Sequence, residues 1–84
     1  MRLVFDPLAL EDLRFWIHTN QRKALKILDL IASAHRTPFD GIGKPEPLKF
    51  ELTGAWSRRI DHEHRLVYRV DKDEIRIMNC RFHY

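Results

Sequence analysis

Candidate acid, base and cation donors for a catalytic site all lie in the second half of this 84-residue sequence. The last two residues, His83 and Tyr84, follow a strand-like run and supply an imidazole and a phenol. Two further polar clusters precede them, at residues 44–49 and 58–65. A carboxylate base, an imidazole acid and guanidinium groups are together able to cleave a phosphodiester without a metal ion. The sequence therefore suggests a phosphodiester-cleaving site.

Glu46 is the candidate general base. It lies between Pro45 and Pro47, which favour an extended backbone and make the segment stiff. A solvated glutamate that forms a surface ion pair with Lys44 or Lys49 explains the same pattern, because general bases are rare among loop carboxylates. Both interpretations stay open at this point.

Histidine provides the candidate general acid. His83 could donate a proton, since imidazole is the side chain that most often transfers protons near neutral pH. His62 and His64 have a spacing that places two imidazoles on one strand face, and with His83 they could complete a metal site. Their turn-like context and the lack of a recognised ligand pattern argue against that site. We expect neither a metal nor another cofactor.

Three arginines flank the turn-like segment 61–63. Arg58, Arg59 and Arg65 carry planar guanidinium groups, which suit phosphate oxygens because they present paired donors. A solvated basic hairpin is the alternative. The formal net charge of +3 and the isoelectric point of about 9.4 suit a polyanionic partner but do not require one.

The first half of the chain predicts a short strand and two helices. After the strand, Asp6 and Pro7 provide an N-cap and a proline at the first helical position, and the helix should run to about Thr19. A second helix should begin after Asn20, so that the pair forms a helical hairpin. The apolar residues expected to face the core are Leu10, Leu13, Trp16 and Ile17 in the first helix and Ala24, Ile27, Leu28, Ile31 and Ala34 in the second.

The second half predicts a long loop, residues 36–47, followed by three or four antiparallel strands. We therefore expect one α+β domain over residues 1–84, with an N-terminal strand and a helical hairpin packed on an antiparallel sheet. Strand alternation places Arg65, Arg81 and His83 together on the face that the helices leave open. The single cysteine and the absence of a long apolar stretch predict a cytoplasmic protein without a membrane contact.

Several motifs of the second half resemble one known family. The matching residues are Arg36-Thr37-Pro38-Phe39 with Gly41 and Gly43, Lys44-Pro45-Glu46-Pro47-Leu48-Lys49, Gly54, Trp56-Ser57-Arg58-Arg59-Ile60, Glu63-His64-Arg65-Leu66-Val67-Tyr68 and His83-Tyr84. Their combined spacing is similar to that of the YoeB/Txe toxins of toxin–antitoxin systems, within the RelE-like mRNA interferases. The chain departs from the usual pattern at Ile42, Ala55 and Phe82.

The resemblance implies a microbial-ribonuclease-like fold and a toxin that cuts mRNA in the ribosomal A site. Glu46 would take the proton of the ribose 2′-OH, Arg65 would stabilise the phosphorane, and His83 would protonate the leaving 5′-oxygen. The resemblance also implies that Lys49 and Tyr84 assist at the phosphate and that Arg59 contacts ribosomal RNA. Together with Lys49 and Arg59, the nearby cations Lys44 and Arg58 are the candidate RNA-binding residues. The implied partners are the ribosome with bound mRNA, a YefM/Axe-like antitoxin and a second copy of the chain.

Three other functions remain open on the sequence. The chain could be a non-catalytic RNA-binding or ribosome-associated module, for which the basic turn would suffice. It could be a metal-dependent nuclease that uses His62, His64 and His83. It could also be an inactive homologue that serves only as an antitoxin-binding or repressor partner, although the chain retains every matched catalytic position.

Overall fold

The computed structural model describes residues 1–82 of the chain, so the predicted site residues His83 and Tyr84 lie outside the described part. Two helices and a five-stranded sheet form the fold. The elements in chain order are β1 (Arg2–Phe5), α1 (Pro7–Thr19), α2 (Gln21–Arg36), β2 (Glu46–Pro47), a short 3-10 helix (Phe50–Leu52), β3 (Ala55–Arg59), β4 (Arg65–Val70) and β5 (Glu74–Asn79).

The sheet has the strand order β1-β5-β4-β3-β2. Strands β2 to β5 pair antiparallel with their sequence neighbours, whereas β1 pairs with β5 in parallel at the other edge. The predicted α+β class and the helical hairpin are confirmed. The sheet is mixed rather than entirely antiparallel because the chain passes through both helices before β5 returns beside β1.

The main core lies between the helices and one sheet face. Ile27, Leu30 and Ile31 of α2 pack there against Leu66 and Tyr68 of β4. Residues of the opposite face form a second, smaller cluster of Leu48, Ala55 and Val67, with Leu52 and Met78 at its border. The alternation predicted for β4 is therefore confirmed, since Leu66 and Tyr68 face the helices and Val67 does not.

The buried face of α1 differs from the prediction. Ala9, Asp12 and Trp16 are buried, whereas Leu10 and Ile17 are 54% and 47% exposed. In this orientation Ala9 and Trp16 pack in the main core, and the Asp12 carboxylate accepts a hydrogen bond from the backbone N–H of Cys80 at 3.0 Å. A polar side chain thus takes a core position that apolar periodicity alone would not assign.

The helix boundaries agree with the predicted signals, but one of the two caps is different. Asn20 Oδ1 accepts a hydrogen bond from the Lys23 N–H at 3.2 Å and caps α2. Asp6 occupies the N-cap position of α1 without a capping bond from its side chain. Its carboxylate instead accepts a hydrogen bond from Arg76 at 2.9 Å, which ties the start of α1 to β5. In α2, Leu28 is 43% exposed, and the remaining residues of the predicted stripe are buried.

Arg58 is fully buried and holds the loop between α2 and β2. Its guanidinium donates hydrogen bonds of 2.7 to 3.1 Å to Tyr68 Oη, Ser33 Oγ and the carbonyl oxygens of Thr37, Asp40 and Ile42. This position contradicts the prediction that Arg58 binds RNA, because its side chain is enclosed and its donors are taken up by the loop. The five-donor fork of arginine matches this set of acceptors.

Tyr68 and two glycines complete the loop contact. Burial raises the pKa of Tyr68 above its ordinary value, and the opposing effect of Arg58 does not cancel the shift. The neutral phenol donates a hydrogen bond to the Pro38 carbonyl at 2.6 Å. Gly41 and Gly43 have positive φ, and a Cβ at either would lie 2.6 Å from a side-chain atom of α2, so larger residues do not fit.

No helix within residues 1–82 is long and apolar enough to cross a membrane.

The buried guanidinium predicts a large difference between two neighbouring Arg-to-Lys changes. Arg58→Lys should lower the free energy of unfolding by about 2 to 4 kcal/mol, because an ammonium group has only three donors and leaves buried acceptors unpaired. Arg59→Lys is the control, since that side chain is exposed. Urea unfolding of both variants measures the effect, and equal stabilities would contradict the assigned role of Arg58.

Candidate active site

Three neighbouring strands bring the candidate base and a guanidinium together on the sheet face opposite the helices. Glu46 of β2 is paired with Ser57 of β3, and Arg65 begins β4 opposite Arg59. The Arg65 guanidinium lies 2.5 Å from the Glu46 carboxylate and 3.3 Å from Ser57 Oγ. The side chain of Glu46 is 51% exposed and that of Arg65 is 20% exposed. A ligand can therefore reach this ion pair from solvent.

The short strand β2 holds Glu46 in place. Pro45, just before the strand, and Pro47, within it, flank the glutamate at the edge of the sheet, where a missing N–H is tolerated. Directly after β2, the Leu48 N–H donates a hydrogen bond to the Ala55 carbonyl at 2.9 Å, and the Leu48 side chain is buried in the smaller cluster. The predicted stiff presentation of Glu46 thus comes from strand pairing and packing as well as from proline.

An open groove of about 530 Å³ lies beside the ion pair and is lined by Glu46 and residues 47–52. Lys49 is exposed and lines the groove. Two further exposed cations are Lys44, two residues before Glu46 in the sequence, and Arg59, which is paired with Arg65 across β3 and β4.

The groove also contains an exposed aromatic residue, Phe50, which is 85% exposed and has a φ of 58°. The sequence does not predict Phe50 as a site residue. It lies between Lys49 and Glu51, outside any helix or strand periodicity, and only its apolar type distinguishes it.

The turn before β4 is fixed by Asp61. Its Oδ1 accepts hydrogen bonds from the N–H groups of Glu63 at 2.8 Å and His64 at 2.6 Å, and its Oδ2 pairs with Lys23 of α2. Burial acts to raise the pKa of Asp61, but the Lys23 contact and the two backbone donors outweigh it and lower the pKa from 3.8 to about 2. The turn therefore sets the direction in which Arg65 enters β4.

The two histidines of this turn point to different environments. His62 is exposed, whereas His64 is 8% exposed and packs edge-on against Trp16, with ring centroids 4.8 Å apart. The predicted spacing therefore does not bring both imidazoles to one face. Within residues 1–82, no group of three or more His, Cys, Asp or Glu residues could hold a metal ion.

The segment after β5 departs from the predicted strand. β5 ends at Asn79, and Cys80 turns into the main core instead of following the alternation. The Arg81 guanidinium lies over the Phe15 ring of α1, 3.5 Å from its centroid. The prediction that Arg81 shares the open face with Arg65 is therefore wrong, because residues beyond Asn79 no longer follow strand geometry. The predicted position of His83 on that face lies outside the described residues.

Phe82, the last described residue, is held beside the start of β4. Its N–H donates a hydrogen bond to His64 Nδ1 at 2.6 Å, and its carbonyl accepts one from the Arg65 N–H at 3.2 Å. The backbone of Phe82 is therefore bonded directly to Arg65, whose side chain contacts Glu46. His83 follows Phe82 directly in the sequence.

The arrangement is suited to an anionic ligand at Arg65. A phosphate can replace a carboxylate as the partner of a guanidinium, because both present oxygens that accept paired hydrogen bonds. Such an exchange would release the Glu46 carboxylate to accept a proton from a neighbouring hydroxyl. The pair can therefore combine a base with a cationic stabiliser.

The chain matches a family model described as a YoeB-like toxin of bacterial type II toxin–antitoxin systems over residues 5–84. It is 55% identical over 80 residues to a toxin YoeB of Mycobacterium bovis, with 95% of this chain and 94% of the relative covered. It is 50% identical over 84 residues to the toxin YoeB of Escherichia coli K12, with both chains fully covered.

Solved structures agree with these sequence matches. A YoeB/ParE toxin from Agrobacterium tumefaciens superimposes with a TM-score of 0.95 at 51% identity over all of both chains. A YoeB dimer from Staphylococcus aureus gives 0.90 at 46% identity, and a YoeB–YefM complex from the same organism gives 0.88 at 47% identity. Each match covers 100% of this chain and 98% of the other.

The bonded aspartate in the turn before β4 predicts how acid destabilises the protein. The lowered pKa of Asp61 stabilises the fold above pH 3.8, and this contribution is lost as the pH falls towards about 2. Asp61→Asn should therefore flatten this part of the pH–stability curve, on the order of 1 kcal/mol after solvent screening.

Urea unfolding at several pH values across this range measures that change. Asp71→Asn is the control, because Asp71 is exposed in the turn between β4 and β5. An Asp61→Asn curve that is as steep as that of the control would contradict the assigned pairing.

Proposed function

This chain belongs to the YoeB-like toxins of bacterial type II toxin–antitoxin systems, and from this premise we propose that it is a metal-independent, ribosome-dependent endoribonuclease that cuts mRNA in the ribosomal A site. Cleavage of the codon would stop translation. The site of action would be the cytoplasm, where the translating ribosome is found.

The ion pair between Glu46 and Arg65 carries this proposal. Its two side chains are 2.5 Å apart on an open sheet face, and Glu46 also lines the groove. Transfer of a phosphodiester to its own 2′-oxygen needs a base at the 2′-OH and positive charge at the phosphate. A carboxylate and a guanidinium in contact provide both within the span of one nucleotide.

The proposed reaction moves one proton at each end of the scissile bond. Glu46 accepts the proton of the ribose 2′-OH as the 2′-oxygen forms a bond to phosphorus. Arg65 stabilises the negative charge of the pentavalent phosphorane. The bond from phosphorus to the 5′-oxygen then breaks, and a general acid protonates that oxygen. The products are a 2′,3′-cyclic phosphate and a 5′-hydroxyl.

His83 is the proposed general acid, and Tyr84 assists at the phosphate. Both roles rest on the family resemblance and on their place directly after Phe82, whose carbonyl binds the Arg65 N–H. Lys49 is proposed to contact the phosphate from the groove wall, and Lys44 and Arg59 to contact RNA. Arg58 is omitted from this set because it is buried.

The ribosome is the proposed source of substrate alignment. The groove is open, and a domain of 84 residues offers little surface to hold a flexible RNA in line for attack. Fixing the reacting atoms is worth many orders of magnitude in rate. A codon held in the A site already has its backbone ordered, so ribosome-free RNA should be cut poorly.

An antitoxin and a second copy of the chain are the proposed protein partners. The YoeB–YefM complex and the YoeB dimer of S. aureus support them, because both proteins are more than 45% identical to this chain. An acidic antitoxin segment would suit the exposed cations around the groove. The exposed apolar residues Leu10 and Ile17 of α1 are compatible with a dimer contact.

Substitution of the proposed base should abolish most of the cleavage. Glu46→Gln removes the proton acceptor but keeps the side-chain shape, so the rate should fall by about 10²- to 10⁴-fold. The matched control is Glu51→Gln, because Glu51 is an exposed glutamate that lines the same groove. Primer extension on an mRNA translated in a reconstituted system locates and quantifies the cuts.

Two further arms of this experiment separate the rival functions. Cuts that require ribosomes, persist with His62→Gln and disappear with Glu46→Gln and His83→Gln would support the proposal. Translation arrest without cuts would instead indicate a non-catalytic ribosome ligand. Cleavage by Glu46→Gln at the wild-type rate would contradict the role of Glu46, and loss of cleavage with His62→Gln would favour a metal-dependent nuclease.

A further inference from the structure

The segment after β5 is held by side chains rather than by strand pairing. The Cys80 N–H donates to Asp12 at 3.0 Å, and Trp16 Nε1 donates to the Cys80 carbonyl at 2.8 Å. Phe82 is bound through His64 Nδ1 and the Arg65 N–H. We call Asp12, Trp16 and His64 the C-terminal clasp. It binds the backbone of residues 80–82 although the strand has already ended.

His64 is the member of the clasp that acts closest to the chain end. Its Nδ1 accepts a hydrogen bond from a backbone N–H, so this nitrogen carries no proton and the neutral ring carries its proton on Nε2. The ring is enclosed between Trp16 and Phe82, with centroids 4.8 and 5.4 Å away. Since its Nδ1 is occupied and its ring is 8% exposed, His64 is poorly placed to exchange a proton with a substrate.

The hydrogen bond from the Phe82 N–H to His64 Nδ1 stabilises an unusual backbone conformation at Phe82. Phe82 has a φ of 61°, a left-handed conformation that non-glycine residues rarely adopt. The bonds to its N–H and its carbonyl maintain this conformation from both sides. His64 and Arg65 are adjacent in the chain, so the clasp also links the conformation of Phe82 to the guanidinium that contacts Glu46.

We propose that His64 is a positioning residue for the cleavage reaction, because it fixes the backbone of Phe82, the residue before the proposed acid in the sequence, by accepting the Phe82 N–H at Nδ1. This inference rests on the proposed function, because it assumes that His83 and Tyr84 act in the cleavage reaction. The side chains of those two residues would act at the phosphate, whereas His64 would not touch it. Misplacement of a reacting group by about 1 Å can cost on the order of 10²-fold in rate.

The test compares two substitutions that remove the imidazole ring. In His64→Asn the Oδ1 atom occupies nearly the place of Nδ1 and can still accept the Phe82 N–H, whereas His64→Leu has no acceptor. Both variants lose the ring contact with Trp16. A purely structural role for the ring would therefore damage both to a similar degree.

The expected kinetic result is a fall in kcat of about 10²-fold for His64→Leu, with KM for the programmed ribosome within about threefold of the wild-type value. His64→Asn should recover most of the lost kcat. Urea unfolding of each variant establishes that the assays contain folded protein. Wild-type kcat in the leucine variant, or equal losses in both variants, would overturn the proposal.

Nuclear magnetic resonance tests the contact without any reference to activity. The ¹⁵N shifts of the His64 ring should indicate an unprotonated Nδ1, and the Phe82 amide should exchange with solvent more slowly in the wild type and in His64→Asn than in His64→Leu. Equal exchange in all three proteins would overturn the clasp even if the wild type cleaves mRNA. A slow Phe82 amide in a wild-type protein that cuts no mRNA would instead overturn the proposed function, and the positioning role with it.

Discussion

The buried guanidinium of Arg58 is the interaction on which the candidate site depends. Between α2 and β2 the chain has few apolar residues with which to pack, yet it must deliver Glu46 to the sheet edge. Arg58 holds this loop against the core, because its guanidinium donates hydrogen bonds to three loop carbonyls and to the Ser33 and Tyr68 hydroxyls. With the loop held down, β2 pairs with β3, and the glutamate meets Arg65 across Ser57.

The elements of the fold could be predicted from periodicity and from cap and turn residues, but the polar contacts between elements could not. The helix ends near Asp6 and Asn20 and the alternation of β4 follow from local sequence, and they agree with the structure. Asp12 and Arg58 are charged types that are usually exposed, and their burial depends on backbone groups distant in sequence. The residue pattern within a single helix or strand gives no information about hydrogen-bond partners that lie in other parts of the sequence.

The candidate site could be predicted in part for the same reason. Residue type and the flanking prolines indicate Glu46, residue type and strand alternation indicate Arg65, and the family resemblance indicates both. The two side chains are in contact. Arg81 was placed with them on the assumption that β5 continues, whereas the strand ends at Asn79 because Asp12 and Trp16 bind the backbone of Cys80. The end of that strand is set by tertiary hydrogen bonds, which override the local preference for a strand.

The central claim is that a ribose 2′-oxygen attacks the phosphate when Glu46 removes its proton. The most direct test is to place a 2′-deoxy nucleotide at each position of the A-site codon in turn and to follow cleavage of the ribosome-bound mRNA by the wild-type protein. The account predicts that one substitution, immediately 5′ to the scissile phosphate, abolishes the cut while the other positions remain permissive. Cleavage at the normal rate with every substitution would contradict it.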